Sequence, residues 1–353
     1  MIIICGCLVI IIATAIAIVR SKKPMDLIMA EAKYEMMYNA MGSRALLQDW
    51  MMRKDNKTDL LPQPGKIAVI TGGARGIGAE VVKMLMKCDI TVVIGCRNVQ
   101  AAEMMLKKYR DEGLDKGDID AFQLDISYLD SVRNFAATVT EKYPKINYLI
   151  NNAGIMFGPR IETRDGYESQ FATNYLGHFL LTHLLFDSLK KAGDAKCNSR
   201  IVNVSSCAHL AGAINFDDIN YRSRYITSEA YAQSKLAQIL FTNYLYTLCK
   251  NEGHHIQLHS IHPGIVNTEL FDGTNLKNLA PWLPNLMFKN PEQGAIPIVH
   301  ACLSPELEGK GGTYIHNCRI FPTSELAQDE ELQKKLFDFT KTLIGIEHFG
   351  VTT

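Results

Sequence analysis

From Lys66 onward, short runs of β-branched and aliphatic residues alternate with helix-length segments, and that alternation leaves few folds open. The runs fall at Lys66 to Thr71, Thr91 to Cys96, Ala121 to Asp125, Ile146 to Asn152, Arg200 to Ser206, Gln257 to His262 and Thr313 to Ile315. Most are nearly continuous in apolar residues, as strands covered on both faces must be, and the segments between them suit crossover helices. They predict an α/β domain, a doubly wound, seven-stranded parallel sheet with helices on both faces. Ligands of such a sheet bind outside the carboxyl ends of its strands. Gly72 to Gly78, Arg97, Asp125, Asn152 to Gly154, Ser206 and Pro263-Gly264 all fall there.

A chain of 353 residues with 47% apolar content can bury one large core, so no second full domain is required. Thirty-seven basic residues balance thirty-seven acidic ones, leaving no basic field for a nucleic-acid partner. Nine scattered cysteines without paired CxxC spacing read as reduced thiols facing the cytosol. Without HExxH spacing either, no metal is expected.

Ahead of the domain, Ile2 through Val19 carries no charge and has roughly the length that crosses a bilayer. Arg20, Lys22 and Lys23 follow it, the reverse of a secretory signal, and would hold the rest of the chain in the cytosol. The competing reading is a cleaved signal with Ala13, Ala15 and Ala17 as its small-residue site. Residues 1–23 are thus expected to form a transmembrane helix with a basic flank, 24–65 a helical connector, and 66–353 the catalytic domain. A cytosolic domain leaves the sequons at Asn56 and Asn203 bare. In the connector, Met36, Met37, Met41, Leu46, Leu47, Trp50, Met51 and Met52 have helical spacing, for packing on the membrane face or on the domain.

The first strand runs into Thr71-Gly72-Gly73-Ala74-Arg75-Gly76-Ile77-Gly78. Glycines between a strand and a helix let the backbone approach a pyrophosphate at the helix's positive end. The G-x-x-x-G-x-G spacing departs from the usual dinucleotide fingerprint and resembles the short-chain dehydrogenase/reductases, whose domain is Rossmann-like; the resemblance covers roughly Lys66 to Ile315. Asn151-Asn152-Ala153-Gly154 resembles the family's NNAG stretch beside the cofactor, and Asp125 matches the acidic residue that holds the adenine. The second strand ends Gly95-Cys96-Arg97-Asn98, with no carboxylate for a ribose 2′-hydroxyl. Arg97 and Arg75 could instead fork a 2′-phosphate, so NADP(H) is the expected cofactor.

Tyr231 and Lys235, four apart in a helical run, share one face. That spacing also arises by chance, so its context carries the assignment. In the family, residues matching Asn174, Ser206, Tyr231 and Lys235 form the catalytic group. Carbonyl reduction needs a proton delivered to oxygen, and an adjacent ammonium is expected to lower the tyrosine's pKa for that task. The resemblance makes Tyr231 the acid/base and Lys235 its neighbour and ribose holder. It gives Ser206 the substrate oxygen and Asn174 a relay water. Ser205 is the competing serine, and His209 lacks the acidic partner of a hydrolase triad. Pro263-Gly264-Ile265-Val266-Asn267-Thr268 resembles the segment in which Val266 and Thr268 would meet the nicotinamide amide.

Between Glu269 and Asn290, Leu270, Phe271, Leu276, Leu279, Trp282, Leu283, Leu286, Met287 and Phe288 would form a lid for a lipophilic substrate or pack on the domain. Asn174 to Phe179 and Tyr231 to Ala237 are most similar to the retinol-dehydrogenase branch, and within it to the X-linked dehydrogenase/reductase-like proteins. The branch implies a retinoid, polyprenoid or steroid-like alcohol/carbonyl pair at the endoplasmic reticulum or lipid droplet. Ser324 to Ile344 reads as a helix for packing or for a homodimer contact. The rivals are a retired dehydrogenase serving as a membrane scaffold and a nucleotide-sugar enzyme of the extended branch.

Overall fold

The computed structural model describes residues 25–271 and 282–351. A long helix, α1 (Met25–Met51), precedes the sheet. The following elements are β1 (Ile67–Thr71), α2 (Gly76–Lys87), β2 (Thr91–Cys96), α3 (Val99–Asp111), β3 (Asp118–Gln123), α4 (Leu129–Lys142) and β4 (Tyr148–Asn151). The second half contains α5 (Gly177–Ala192), β5 (Ser199–Val204), α6 (Thr227–Asn251), β6 (Ile256–His262), α7 (Pro291–Leu303), β7 (Thr313–His316), β8 (Arg319–Phe321) and α8 (Glu330–Ile344).

Strand order is β3-β2-β1-β4-β5-β6-β7-β8. The chain winds outward from β1 to β3 and then returns to place β4 on the other side of β1. The crevice between β1 and β4 is therefore the switch point of the sheet. Successive residues serve opposite faces. Val69, Val93, Leu149 and Ile201 join the core under α4, α5, α6 and α8. Ala68, Ile70, Val92, Ile94, Ile150 and Val202 join the core under α2, α3 and α7. Each fully buried Val, Leu or Ile contributes about 1.5–3 kcal/mol, so both faces must be covered for the sheet to persist.

Seven strands are parallel as expected, but the sheet has eight. The additional β8 pairs antiparallel with β7, with His316 opposite Arg319. Asn317 and Cys318 make the turn, both at positive φ (49° and 59°), the hairpin geometry that asparagine tolerates and glycine usually signals. Cysteine in the second position hides that signal. Strand β3 begins and ends earlier than expected because it is an edge strand with the half-polar pattern Asp118-Ile119-Asp120-Ala121-Phe122-Gln123.

Among the described residues, no helix is long and apolar enough to cross a membrane. The expected membrane segment, residues 2–19, lies outside the described residues. The connector helix packs on the domain through Glu31, Ala45, Leu46 and Asp49, while Trp50, 68% exposed, points away.

Candidate active site

The loops after β1 and β4 meet at the switch point. Gly72 and Gly76 adopt left-handed backbone (φ 67° and 54°). A Cβ on Gly78 would lie 2.2 Å from the Gly72 carbonyl oxygen and 2.9 Å from Asn152 Nδ2, so no larger residue fits without opening the loop. Asn152 Nδ2 donates to Thr71 O at 2.9 Å and Gly72 O at 3.3 Å, while the backbone N–H groups of Asn152 and Ala153 donate to Thr71 Oγ1. Behind them Asn151 donates to Asn203 Oδ1 at 2.7 Å and Thr182 Oγ1 at 3.1 Å. These buried bonds fix the glycine loop and NNAG segment as one unit. Gly78→Ala is expected to weaken binding of a dinucleotide in this loop at least about tenfold, read by fluorescence titration, because overpacking costs about 1–3 kcal/mol.

The other expected cofactor positions surround this unit. Ile77 packs with the core under α2, and Asp125, past the end of β3, accepts from Ser127 N at 3.1 Å and Ser127 Oγ at 2.6 Å. Arg97 is exposed at the end of β2. Arg75, also exposed, pairs with Glu269 at 2.5 Å. Thr268 approaches the glycine loop, its Cγ2 lying 3.7 Å from where a Gly76 Cβ would be, and Val266 is buried against Gly294. Of the expected lid, residues 272–281 lie outside the described residues; Phe271 and Phe288 meet at a tilt, ring centroids 5.1 Å apart.

The catalytic candidates converge on the same crevice. Helix α6 carries Tyr231 (5% exposed) and Lys235 (4%) on one face, with Lys235 Nζ 5.6 Å from the Tyr231 ring centroid. Lys235 Nζ donates to Val204 O at 2.8 Å. A Cβ on Gly154 would lie 3.7 Å from Lys235 Nζ and 3.2 Å from Asn174 Oδ1, which brings the NNAG segment to the catalytic helix. Ser206 caps the turn after β5, accepting from Ala208 N at 3.2 Å, and its hydroxyl lies near the Tyr231 phenol. Ser205 instead donates to Lys235 O at 2.7 Å, tying β5 to α6. His209 contacts Ser206 O through Nδ1 at 2.7 Å and packs on Tyr314.

Asn174 sits in a π-helical turn, Ala172–Leu176, ahead of α5 rather than in regular helix. Its side chain accepts from Ile155 N at 2.9 Å and donates to Ile155 O at 3.0 Å and Ser234 Oγ at 2.9 Å, while its carbonyl accepts from Gln238. It therefore staples the NNAG loop to α6, a positioning role. Such bulges recur at functional sites.

The expected depression of the Tyr231 pKa is reversed. Burial raises the phenol above its usual range, and the nearby Ser206 hydroxyl offsets only part of this. Burial also pulls the Lys235 ammonium down to about 7. Desolvation dominates both groups.

The sequence pattern of the short chain dehydrogenase family matches residues 66–278. The chain belongs to that family. It is 37% identical over 290 residues to the polyprenol dehydrogenase of Homo sapiens, covering 81% of this chain and 87% of that protein. It is 38% identical over 294 residues to human retinol dehydrogenase 13, covering 80% and 86%. A solved structure of an uncharacterized protein from Mycobacterium paratuberculosis aligns with a TM-score of 0.66 at 31% identity, covering 82% of this chain and 97% of that one. This short chain dehydrogenase is an oxidoreductase of the retinol-dehydrogenase-like kind, and its family points to a nicotinamide cofactor.

The dehydrogenase also holds a buried polar cluster that sequence reasoning missed. Asp49 of α1, 7% exposed, accepts from Ile265 N at 2.9 Å, lies 2.9 Å from both Lys289 Nζ and His316 Nε2, and accepts from Asn317 Nδ2 at 3.2 Å. Burial alone would raise the Asp49 carboxyl; His316 and the Lys289 ammonium outweigh it and hold it well below the ordinary carboxylate range. Asp49, His262 and His316 bring ligand-type atoms within 4.8 Å of one another, with Lys289 as the cation beside the carboxylate. Asp49 and Lys289 are 240 positions apart, and nothing in the sequence links them. Gly264 (φ 92°) lets the α1 carboxylate approach, since a Cβ there would meet Asp49 Oδ2 at 2.8 Å.

Proposed function

We propose that this chain is a membrane-anchored, NADP(H)-dependent dehydrogenase/reductase for a lipophilic alcohol/carbonyl pair of retinoid, polyprenoid or steroid type. The observation that carries this reading is the convergence of Tyr231, Lys235 and Ser206 beside Gly154 at the switch point. The names of the relatives, polyprenol dehydrogenase and retinol dehydrogenase 13, support the substrate class. The uncharged run Ile2 to Val19 supports the anchor, as do the exposed Met29, Met36, Met37, Trp50 and Met51 of α1.

The residues fit a dinucleotide. The Gly78 cradle admits a close backbone approach, and the N-terminal end of α2 faces the same loop. Lys235, buried and donating to one backbone carbonyl, has further N–H groups for ribose hydroxyls. A bound nicotinamide supplies or accepts the hydride. Tyr231, held protonated by burial, gives its proton to the carbonyl oxygen during reduction, and Ser206 hydrogen-bonds that oxygen. No carboxylate directly follows β2, and exposed Arg97, with no ion pair among the described residues, is the guanidinium for a 2′-phosphate, whereas Arg75 pairs with Glu269.

Full-length protein in detergent should consume NADPH with at least one retinoid, polyprenoid or steroid carbonyl and use NADH poorly. Arg97→Ala should raise the KM for NADPH about tenfold, the scale of a charge-assisted hydrogen bond, and leave that for NADH nearly unchanged. Equal use of both cofactors would overturn the NADP(H) assignment. NADPH binding without turnover across the panel would favour the scaffold reading.

A further inference from the structure

Helix α1 lies outside the family match at 66–278, yet it reaches the catalytic tyrosine. Its inner stripe, Glu31, Tyr34, Tyr38, Ala45, Leu46 and Asp49, has the spacing of one helix face. Near one end, Tyr34 donates to Ala211 O at 2.8 Å, and Ser228 donates to Glu35. Both partners flank the catalytic group, Ser228 lying three residues before Tyr231. At the other end, Asp49 takes the N–H of Ile265, inside the Pro263–Thr268 segment expected at the nicotinamide. The helix is thus pinned on the tyrosine side and on the cofactor side, spanning roughly 20 Å between the two anchors at 1.5 Å per residue.

Tyr38 sits between the anchors. It is half-buried and packs with Tyr231, Ala208 and Ala232, its phenol lying near the Tyr231 and Cys207 side chains. Phe157 bridges the two phenols edge-on, 5.9 Å from Tyr38 and 6.0 Å from Tyr231. Phe157 holds a left-handed backbone (φ 62°), rare for a bulky side chain and common at sites where strain aims a residue. Its N–H is fixed by Gln170 Oε1 at 2.9 Å.

We propose that α1 is a fixed roof over the substrate end of the crevice, and that Tyr38, with Phe157, forms the aromatic wall that limits the bulk of the group beside the reacting carbon. This rests on the functional reading above. The wall selects a slim, apolar chain, flat or unsaturated near the carbonyl, over a bulky ring system. The specificity element therefore comes from outside the segment that defines the family, fastened by the Asp49 cluster.

The test compares wild type, Tyr38→Phe and Tyr38→Ala in NADPH-dependent reduction of aldehydes that are straight-chain, methyl-branched or cyclic next to the reacting carbon. For Tyr38→Ala, the KM for the straight-chain aldehyde should rise about tenfold with kcat changed less than about threefold. Its kcat/KM preference should shift at least about tenfold toward the cyclic aldehyde. Tyr38→Phe should keep the wild-type preference within about twofold, because the ring remains. An unchanged preference in Tyr38→Ala, with wild-type turnover intact, overturns the roof and leaves the functional reading standing. No turnover by wild type defeats the functional reading, and the roof is then read by binding of the fluorescent polyene parinaryl alcohol. Tyr38→Ala should weaken that binding about tenfold and Tyr38→Phe should not; equal affinity in all three proteins overturns the roof.

Discussion

Tyr231→Phe is expected to lower kcat for carbonyl reduction about 1000-fold, within the range that a positioned proton donor contributes, while NADPH affinity stays within about threefold. The substitution removes one hydroxyl and keeps the ring that packs against Phe157 and Ala208. Ser206 keeps its cap on Ala208 N, so the turn after β5 should be undisturbed. Stability should change by no more than about 1 kcal/mol, the net worth of a hydrogen bond, and a thermal melt separates a chemical defect from a folding one. A variant retaining reduction within about tenfold of wild type would remove Tyr231 from its assigned role.

What the sequence exposes of this site is what local patterning encodes. The glycine loop, the NNAG segment, Ser206 and the Tyr231–Lys235 pair each lie at a strand end or on one helix face, and a period of two or of 3.6 places them without knowledge of the fold. Resemblance alone selects Ser206 over Ser205; in the structure the Ser205 hydroxyl donates to the Lys235 carbonyl. Long-range features were illegible. Asp49 meets Lys289, His316 and Ile265 only because α1 folds back across the domain, and Tyr38 reaches Tyr231 for the same reason. The π-helical turn at Asn174 has no local composition that announces it. The electrostatic expectation failed for a related reason: charge separation can be read from spacing, whereas desolvation depends on everything packed around the pair.

Lys235→Met should stabilise the fold while abolishing activity, and the two effects together identify a functional buried cation. Lys235 is 4% exposed, and burial pulls it from 10.5 to about 7. Below pH 7 the ammonium is charged in both folded and unfolded chains, and the folded state bears the whole desolvation penalty. Between pH 7 and 10.5 the unfolded chain binds more protons than the folded one, so this group makes stability rise with pH. A shift of that size corresponds to roughly 5 kcal/mol at about 1.4 kcal/mol per pH unit. Methionine keeps most of the carbon stem but leaves Val204 O without its donor, a loss of about 1–3 kcal/mol. The expected balance at pH 6 is a gain of about 2 kcal/mol, with a thermal midpoint higher by a few degrees. This advantage should shrink as pH rises from 7 toward 10, because the wild-type lysine sheds its charge in the folded state. Reduction should fall at least about 100-fold, since no cation remains beside the phenol to stabilise charge when the proton leaves. Denaturant melts from pH 6 to 9.5 and an NADPH-consumption assay measure both halves. If the variant is less stable than wild type at pH 6 by about 2 kcal/mol or more, Lys235 is a structural donor to β5, and the active-site reading of its burial fails.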